Sequence, residues 1–139
     1  MQNINVDVIR QFRGNNGVIT SGIFKGAKLL LLITTGAKSG NQRTNPLAFT
    51  RDGANYVIIA SKGGSPTHPD WYHNVVANPD VSVEVAVEGG VEKFDAHARV
   101  ALGEERERLY AAQAAIMPGF AEYQRKTSRQ IPVIVLEPR

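Results

Sequence analysis

Five consecutive aliphatic residues, Leu29-Leu30-Leu31-Leu32-Ile33, place the tightest limit on how this chain can fold. The run is far short of the roughly 20 apolar residues that cross a bilayer. It lies between a Gly- and Asn-rich stretch (14–26) and Gly36. Unbroken apolarity at this length predicts a strand, Ala27 to Thr35, covered on both faces. The chain has 139 residues, enough for one domain spanning 1–139 with its own core. It contains no cysteine, which excludes disulfides, thiolate catalysis, Cys-ligated zinc and Fe–S clusters. That composition, with no signal-peptide core at the N-terminus, points to the cytoplasm.

Other segments supply partners for that strand. Thr44 to Arg51 reads as a second strand, and Asp52-Gly53 turns it into a third, Asn55 to Ser61. Pro46 cannot donate to a ladder, so its strand belongs at an edge or a bulge. Val81, Val83, Val85 and Val87 alternate with Ser82, Glu84, Ala86 and Glu88, the pattern of a half-buried strand. Glu84, Glu88 and Glu92 then read as a solvated face. Gly89-Gly90 leads into Val91 to Leu102, with Phe94, Ala96, Ala98 and Val100 on one face, and Ile131 to Leu136 closes the chain.

Helices are expected at Met1–Arg13, at Pro69–Ala77, from Glu104 to Met117 and after Pro118. Leu109, Ala112, Ala115 and Ile116 mark the apolar side of the third. About six strands joined mostly by hairpins favour antiparallel pairing and a small barrel over a Rossmann sheet. The first helix presents Ile4, Val8 and Phe12 on one side. That side either packs on the domain or contacts a membrane surface peripherally.

Charge is unevenly placed. Residues 1–62 hold eight Lys/Arg against Asp7 and Asp52, a net of +6, while the remainder nets −3. The cations are not interleaved with aromatic stacking surfaces, which argues against nucleic acid as the partner. A solvated basic face and a binding site for an anion both fit.

Two polar loops lie in the basic half, Gly36-Ala37-Lys38-Ser39-Gly40-Asn41-Gln42-Arg43 and Ser61-Lys62-Gly63-Gly64-Ser65-Pro66. The first lacks the spacing of a nucleotide P-loop, since its Gly40 follows the lysine. Each offers a cation and turn N–H groups, a nest for phosphate or carboxylate as well as an ordinary tight turn. Trp71 serves equally as a core anchor or as a wall against a planar ring. His68, His73 and His97 lack metal-ligand spacing, so no metal site is expected. Ser61-Lys62 has no histidine at an elbow-type turn, which argues against hydrolase chemistry. Tyr110 with Leu109 reads as helix packing, whereas Met117 to Phe120 breaks the helix and could wall a pocket.

Five ordered blocks carry a resemblance: Leu31 to Gly40, Arg43 to Leu47, Ala60 to Gly64, Trp71 to Asn74 and Tyr123 to Val133. Together they resemble the deazaflavin-dependent nitroreductase family, which includes F420H2-dependent quinone reductases. The resemblance implies a mainly β (α+β) fold, a split β-barrel of six to seven antiparallel strands with short inserted helices, like that of FMN-binding oxidases. It implies an enzyme using coenzyme F420 as hydride carrier to reduce a small-molecule acceptor such as a quinone, enone or nitro compound.

Carried over by motif, Lys38, Ser39, Arg43 and Thr44 would meet the cofactor's phosphate and acidic tail. Asn45, Pro46, Leu47 and Ala48, with Ile59, Ala60, Ser61 and Lys62, would line its ring. Asp70, Trp71 and Asn74 would close the groove. Ser61 and Tyr123 are the catalytic candidates. Met117 and Phe120 join Tyr123 on the substrate side, where some members place several tyrosines. Their apolar character here favours a greasier acceptor such as a quinone. An FMN-binding oxidoreductase and a non-catalytic deazaflavin carrier are the alternatives, and both monomer and homodimer fit the sequence.

Overall fold

Seven strands form one sheet in the order β2-β1-β5-β6-β7-β4-β3, every neighbouring pair antiparallel. The computed structural model describes residues 4–139. In chain order the elements are α1 (Ile4–Gly14), β1 (Leu29–Thr35), β2 (Gln42–Ala48), β3 (Thr50–Asp52), β4 (Asn55–Ile59), a 3₁₀ turn (Lys62–Gly64), α2 (Asp70–Ala77), β5 (Asp80–Val87), β6 (Gly90–Val100), α3 (Gly103–Ile116), α4 (Gly119–Lys126) and β7 (Val133–Pro138). Residues 1–3 of the expected first helix, and the side chain of Ile4, lie outside the described residues.

The two edge strands, β2 and β3, are joined by Phe49 alone. Six inter-strand steps of about 4.8 Å would hold the edges of a flat sheet about 29 Å apart. The two virtual bonds from Ala48 to Thr50 reach about 7 Å. The sheet must therefore roll until its edges meet, and β2 does touch β4 across the seam. The result is the small antiparallel barrel that the hairpin-rich sequence favours, in the split form that the resemblance implies.

Alternation along the strands sorts side chains into layers. Leu30 and Leu32 of β1, Ile58 of β4 and Ile134 and Leu136 of β7 point into the barrel with Val81, Val83 and Val85 of β5. The intervening Leu29 and Leu31 face outward beneath Val8 and Phe12 of α1. Val57, Ile59, Val133 and Val135 face outward beneath Leu109 and Tyr110 of α3. The aliphatic run is thus buried on both faces, as its composition requires. Pro46 sits in an edge strand, opposite Leu31. The apolar side of α1, through Val8 and Phe12, is consumed by the core. No helix among the described residues is long and apolar enough to cross a membrane.

Three expectations need correction. The strand expected at 44–51 is two strands: β2 pairs with β1, and only β3 forms the hairpin with β4 through Gly53-Ala54. Pairing to opposite edges breaks the strand at Phe49. The buried face of α3 is Arg106, Leu109, Tyr110 and Gln113, while Ile116 stays 69% exposed. Arg106 can be buried because its guanidinium donates to the Ile131 carbonyl and to Gln124 Oε1, and lies over the Tyr110 ring. Glu84 belongs to no solvated face. It is buried, and Arg13 of α1 donates to both its oxygens at 3.2 and 2.6 Å. Glu88 and Glu92 remain exposed.

Removing Arg13 would leave the Glu84 carboxylate buried without a partner. Because Arg13 is itself half-exposed, Arg13→Ala is expected to cost about 1–3 kcal/mol in urea unfolding, below the full range for breaking a buried pair. Adding Glu84→Gln should recover part of that loss, and equal stability of the two variants would contradict the pairing.

Candidate active site

The seam that closes the sheet is also where the molecule is hollow. A cavity of about 680 Å³ is lined by Pro46, Leu47 and Ala48 of β2 on one edge and by Ile59 of β4, Ser61 and Lys62 on the other. Met117, Phe120 and Tyr123 form a further wall. Its size is that of a small-molecule site, and most of its surface is apolar. Among the described residues no carboxylate lines it, whereas Lys28 and Lys62 do. The Ser61 hydroxyl makes no hydrogen bond among the described residues, although Ser61 is buried.

A second hollow, of about 830 Å³, is more polar, with about half its surface contributed by polar atoms. Lys38, Ser39, Arg43, Thr44 and Asn45 line it with Asp70, Asn74 and part of α1. Trp71 borders both spaces, so the two adjoin through one indole. Lys38 and Arg43 have no ion-pair partner among the described residues. With two cations, Lys38 and Arg43, against Asp70, the groove presents net positive charge.

Neutral hydrogen bonds hold the groove's loop from behind. Asn74, buried in α2, donates to Thr34 Oγ1 at 3.2 Å and accepts from the Ala37 N–H at 3.0 Å. Gly36 and Gly40 close the turn through a 3.0 Å bond, and Ser39 Oγ accepts from the Asn41 N–H at 3.1 Å. A Cβ on Gly36 would fall 2.5 Å from Ser39 Oγ and 3.2 Å from the Asn41 carbonyl, so a larger residue would have to turn the Ser39 hydroxyl away from the Asn41 N–H. The Lys38 and Ser39 amides find no acceptor among the described residues. That is the donor pattern of an anion nest.

The second loop is held differently. Lys62, Gly63 and Gly64 have φ of 48°, 64° and 83° in succession, a left-handed turn costly at the lysine. Gly64 is packed against α4, where an added Cβ would come 2.8 Å from the Tyr123 carbonyl. The Arg129 guanidinium donates to the carbonyls of Ala60, Ser61 and Ser65 and meets His68 Nδ1 at 3.0 Å. Burial, with the Arg129 and His73 charges beside it, holds His68 below the usual histidine range. His68, partly buried, is thus an acceptor for Arg129.

Every expected site residue except Ala60 lines one of the two hollows. Ala60 is fully buried, its side chain in the barrel core and its carbonyl turned to Arg129. Phe24 and Lys28, from the loop before β1, line the apolar cavity without having been expected there. An exposed aromatic in a Gly-rich loop was the available signal for Phe24. His73 in the polar groove and Arg129 were also missed.

Residues 4–138 match the family model described as F420H(2)-dependent quinone reductase. The chain belongs to this family. The F420H(2)-dependent quinone reductase of Mycobacterium tuberculosis (strain H37Rv) is 42% identical over 133 residues, which is 92% of this chain and 85% of the relative. A solved F420-H2 dependent reductase, FDR-A, is 46% identical with a TM-score of 0.70, covering 80% of this chain and 95% of its own. A solved domain-swapped dimer is 41% identical with a TM-score of 0.73, covering 95% and 93%.

The protein is therefore an oxidoreductase of this family, with coenzyme F420 as its cofactor. Its own residues fit that group. Free cations and amides around Lys38 suit a large anion, and the apolar hollow beyond Trp71 suits a flat ring.

His68 gives a pH dependence. Its folded pKa lies below the ordinary value of about 6.5, so the unfolded chain binds the proton first. The neutral-imidazole contribution to stability is complete above about pH 6.5 and shrinks as pH falls below it. Melting temperature should drop between pH 7 and 5.5, and His68→Gln should flatten that slope. An identical slope in the variant would rule out His68 as its source.

Proposed function

We propose that the protein reduces a quinone held in the apolar cavity, drawing on F420H2 whose charged tail lies in the polar groove. One observation carries this reading: Trp71 borders both hollows, so a single extended ligand has its anionic end among cations and its ring beside the acceptor space. When bound, the reduced cofactor supplies a hydride, and the chain's task is binding, orientation and exclusion of water.

Lys38, Ser39, Arg43 and Thr44 hold the phosphate and acidic tail. Asn45 to Ala48, Ile59, Lys62 and the backbone around Ala60 frame the ring, and Asp70, Trp71 and Asn74 close the groove. The Ser61 hydroxyl, without a protein partner among the described residues, donates to the acceptor oxygen or the ring. Tyr123 approaches from α4. Lys28 and Lys62, with no opposing carboxylate in the cavity among the described residues, favour the negative charge that reduction builds on a quinone oxygen. Met117 and Phe120 leave Tyr123 as that wall's hydroxyl, which supports a quinone over more polar nitro compounds.

A single domain is supported by one sheet that carries all three core layers. The buried apolar side of α1 supports a packed helix over one lying on a membrane. A homodimer is supported by the domain-swapped relative, and light scattering on the purified chain tests it.

Fluorescence titration with F420 is expected to show binding that weakens as salt rises, since both tail cations are exposed. Lys38→Ala and Arg43→Ala should each raise Kd about tenfold, about 1.4 kcal/mol. Mixing the loaded protein with a naphthoquinone should oxidise the cofactor. Binding of FMN in place of F420, or F420 binding without oxidation across quinones, would overturn the proposal.

A further inference from the structure

The densest set of hydrogen bonds near the proposed site belongs to a residue that lines neither hollow. Arg129 lies between α4 and β7, and each of its three guanidinium nitrogens is engaged. Nε donates to the Ser65 carbonyl at 2.9 Å, Nη2 to the Ser61 carbonyl at 2.8 Å, and Nη1 to the Ala60 carbonyl at 3.3 Å, with His68 Nδ1 at 3.0 Å from Nη1. All three carbonyls flank or belong to the turn that carries Ser61 and Lys62 into the apolar cavity. The turn's own closure is two backbone bonds, Gly64 N–H to Ser61 and Ser65 N–H to Lys62, at 3.0 and 3.1 Å. Against its left-handed run at 62–64, that is a thin set of restraints. A planar fork with five donors can hold several carbonyls at once, which an ammonium cannot do in the same geometry.

Arg129 is itself fixed. Its carbonyl accepts from Gln124 Nε2 at 2.8 Å, and Gln124 lies one residue beyond Tyr123 on α4. Gln124 Oε1 in turn accepts from the buried Arg106 at 2.7 Å and from the Ile131 N–H at 3.0 Å. The side chain of Arg129 therefore grips the loop that bears Ser61, while its backbone is tied to the helix that bears Tyr123. Direct packing of Gly64 on the Tyr123 backbone reinforces the link.

We propose that Arg129 is a positioning residue for the reduction: it sets the spacing across the cavity between Ser61 and Tyr123. The inference rests on the site proposed above. Arg129 does not line the tail groove, which Asn74 holds on the far side of Trp71, and it reaches that groove only indirectly, through His68 packed on His73.

The test uses Arg129→Lys, which keeps the charge and loses the fork, with Arg129→Gln alongside. In the unliganded full chain, amide hydrogen exchange at Gly64 and Ser65 should rise at least tenfold while β5 and β6 keep their protection. With F420H2 and a naphthoquinone, kcat should fall at least tenfold while Kd for F420 changes less than threefold. In a Ser61→Ala background the same substitution should cost little more, because the two act through one geometry.

Unchanged exchange at Gly64 and Ser65 would overturn the proposal. So would exchange rising across the whole sheet, a Kd loss matching the kcat loss, or equal effects with and without Ser61. If the wild-type chain shows no turnover, the functional reading fails, and the exchange data still decide the role of Arg129. If the glutamine variant does not fold, the lysine variant carries the test.

Discussion

Closure of the sheet through Phe49 is the constraint on which the rest of the molecule depends. Two strands adjacent in sequence are assigned to opposite edges, and a single residue cannot span a flat sheet. Rolling is therefore obligatory. It creates a barrel interior for the alternate residues of β1, β4, β5 and β7, and a seam where β2 faces β4 without pairing. Pro46 is tolerated because its strand is an edge, and the apolar hollow lies where the edges approach. The core and the site are thus two results of one topological fact.

Electrostatics separates the supporting structure from the binding surface. Arg99 bonds Glu105 and lies 3.2 Å from Glu137, Arg108 pairs with Asp52, and Arg13 with Glu84. Glu105 and Asp52 are held below the usual carboxylate range by those guanidinium groups. The cations of the two glycine loops have no such acids. Lys38 and Arg43 are unpaired among the described residues, and the Lys62 ammonium meets only the Thr67 hydroxyl at 3.4 Å. Both loops are shaped from behind, by an amide in one case and by a guanidinium bound to carbonyls in the other. The positive face inferred from charge asymmetry therefore stays available to a ligand.

Features set by local periodicity were legible in the sequence. The Leu29 run, the Val81–Val85 alternation and the edge character of Pro46 all follow from side-chain period or from proline's missing donor, and Gly53 marks the hairpin turn, which falls at 53–54, one residue later than expected. The basic loop around Lys38 and Arg43 was legible from its charge and glycines, and the five motif blocks pointed to the family. What escaped depends on contacts between distant segments. Arg13 and Glu84 are 71 positions apart, and Arg129 and Ser61 are 68 apart. The break at Phe49 reflects pairing with different edges, which no local window contains. Ile116 fits an apolar helical stripe, yet the sheet meets the side bearing Arg106 and Gln113. Arg106 stays there because carbonyl and amide acceptors satisfy it.

The route of the chain through this sheet has a temporal side. Residues 42–59 carry both edges and much of the proposed site, but the strands that separate those edges include β7, which follows all the others in chain order among the described residues. Until β7 inserts between β6 and β4, the β3–β4 hairpin lacks its main partner and the seam cannot form. Arg129, which grips the second loop, also arrives only with that final segment. The polar groove is lined wholly by residues 5–74, whereas the apolar cavity spans the seam and so is closed only once β7 has docked.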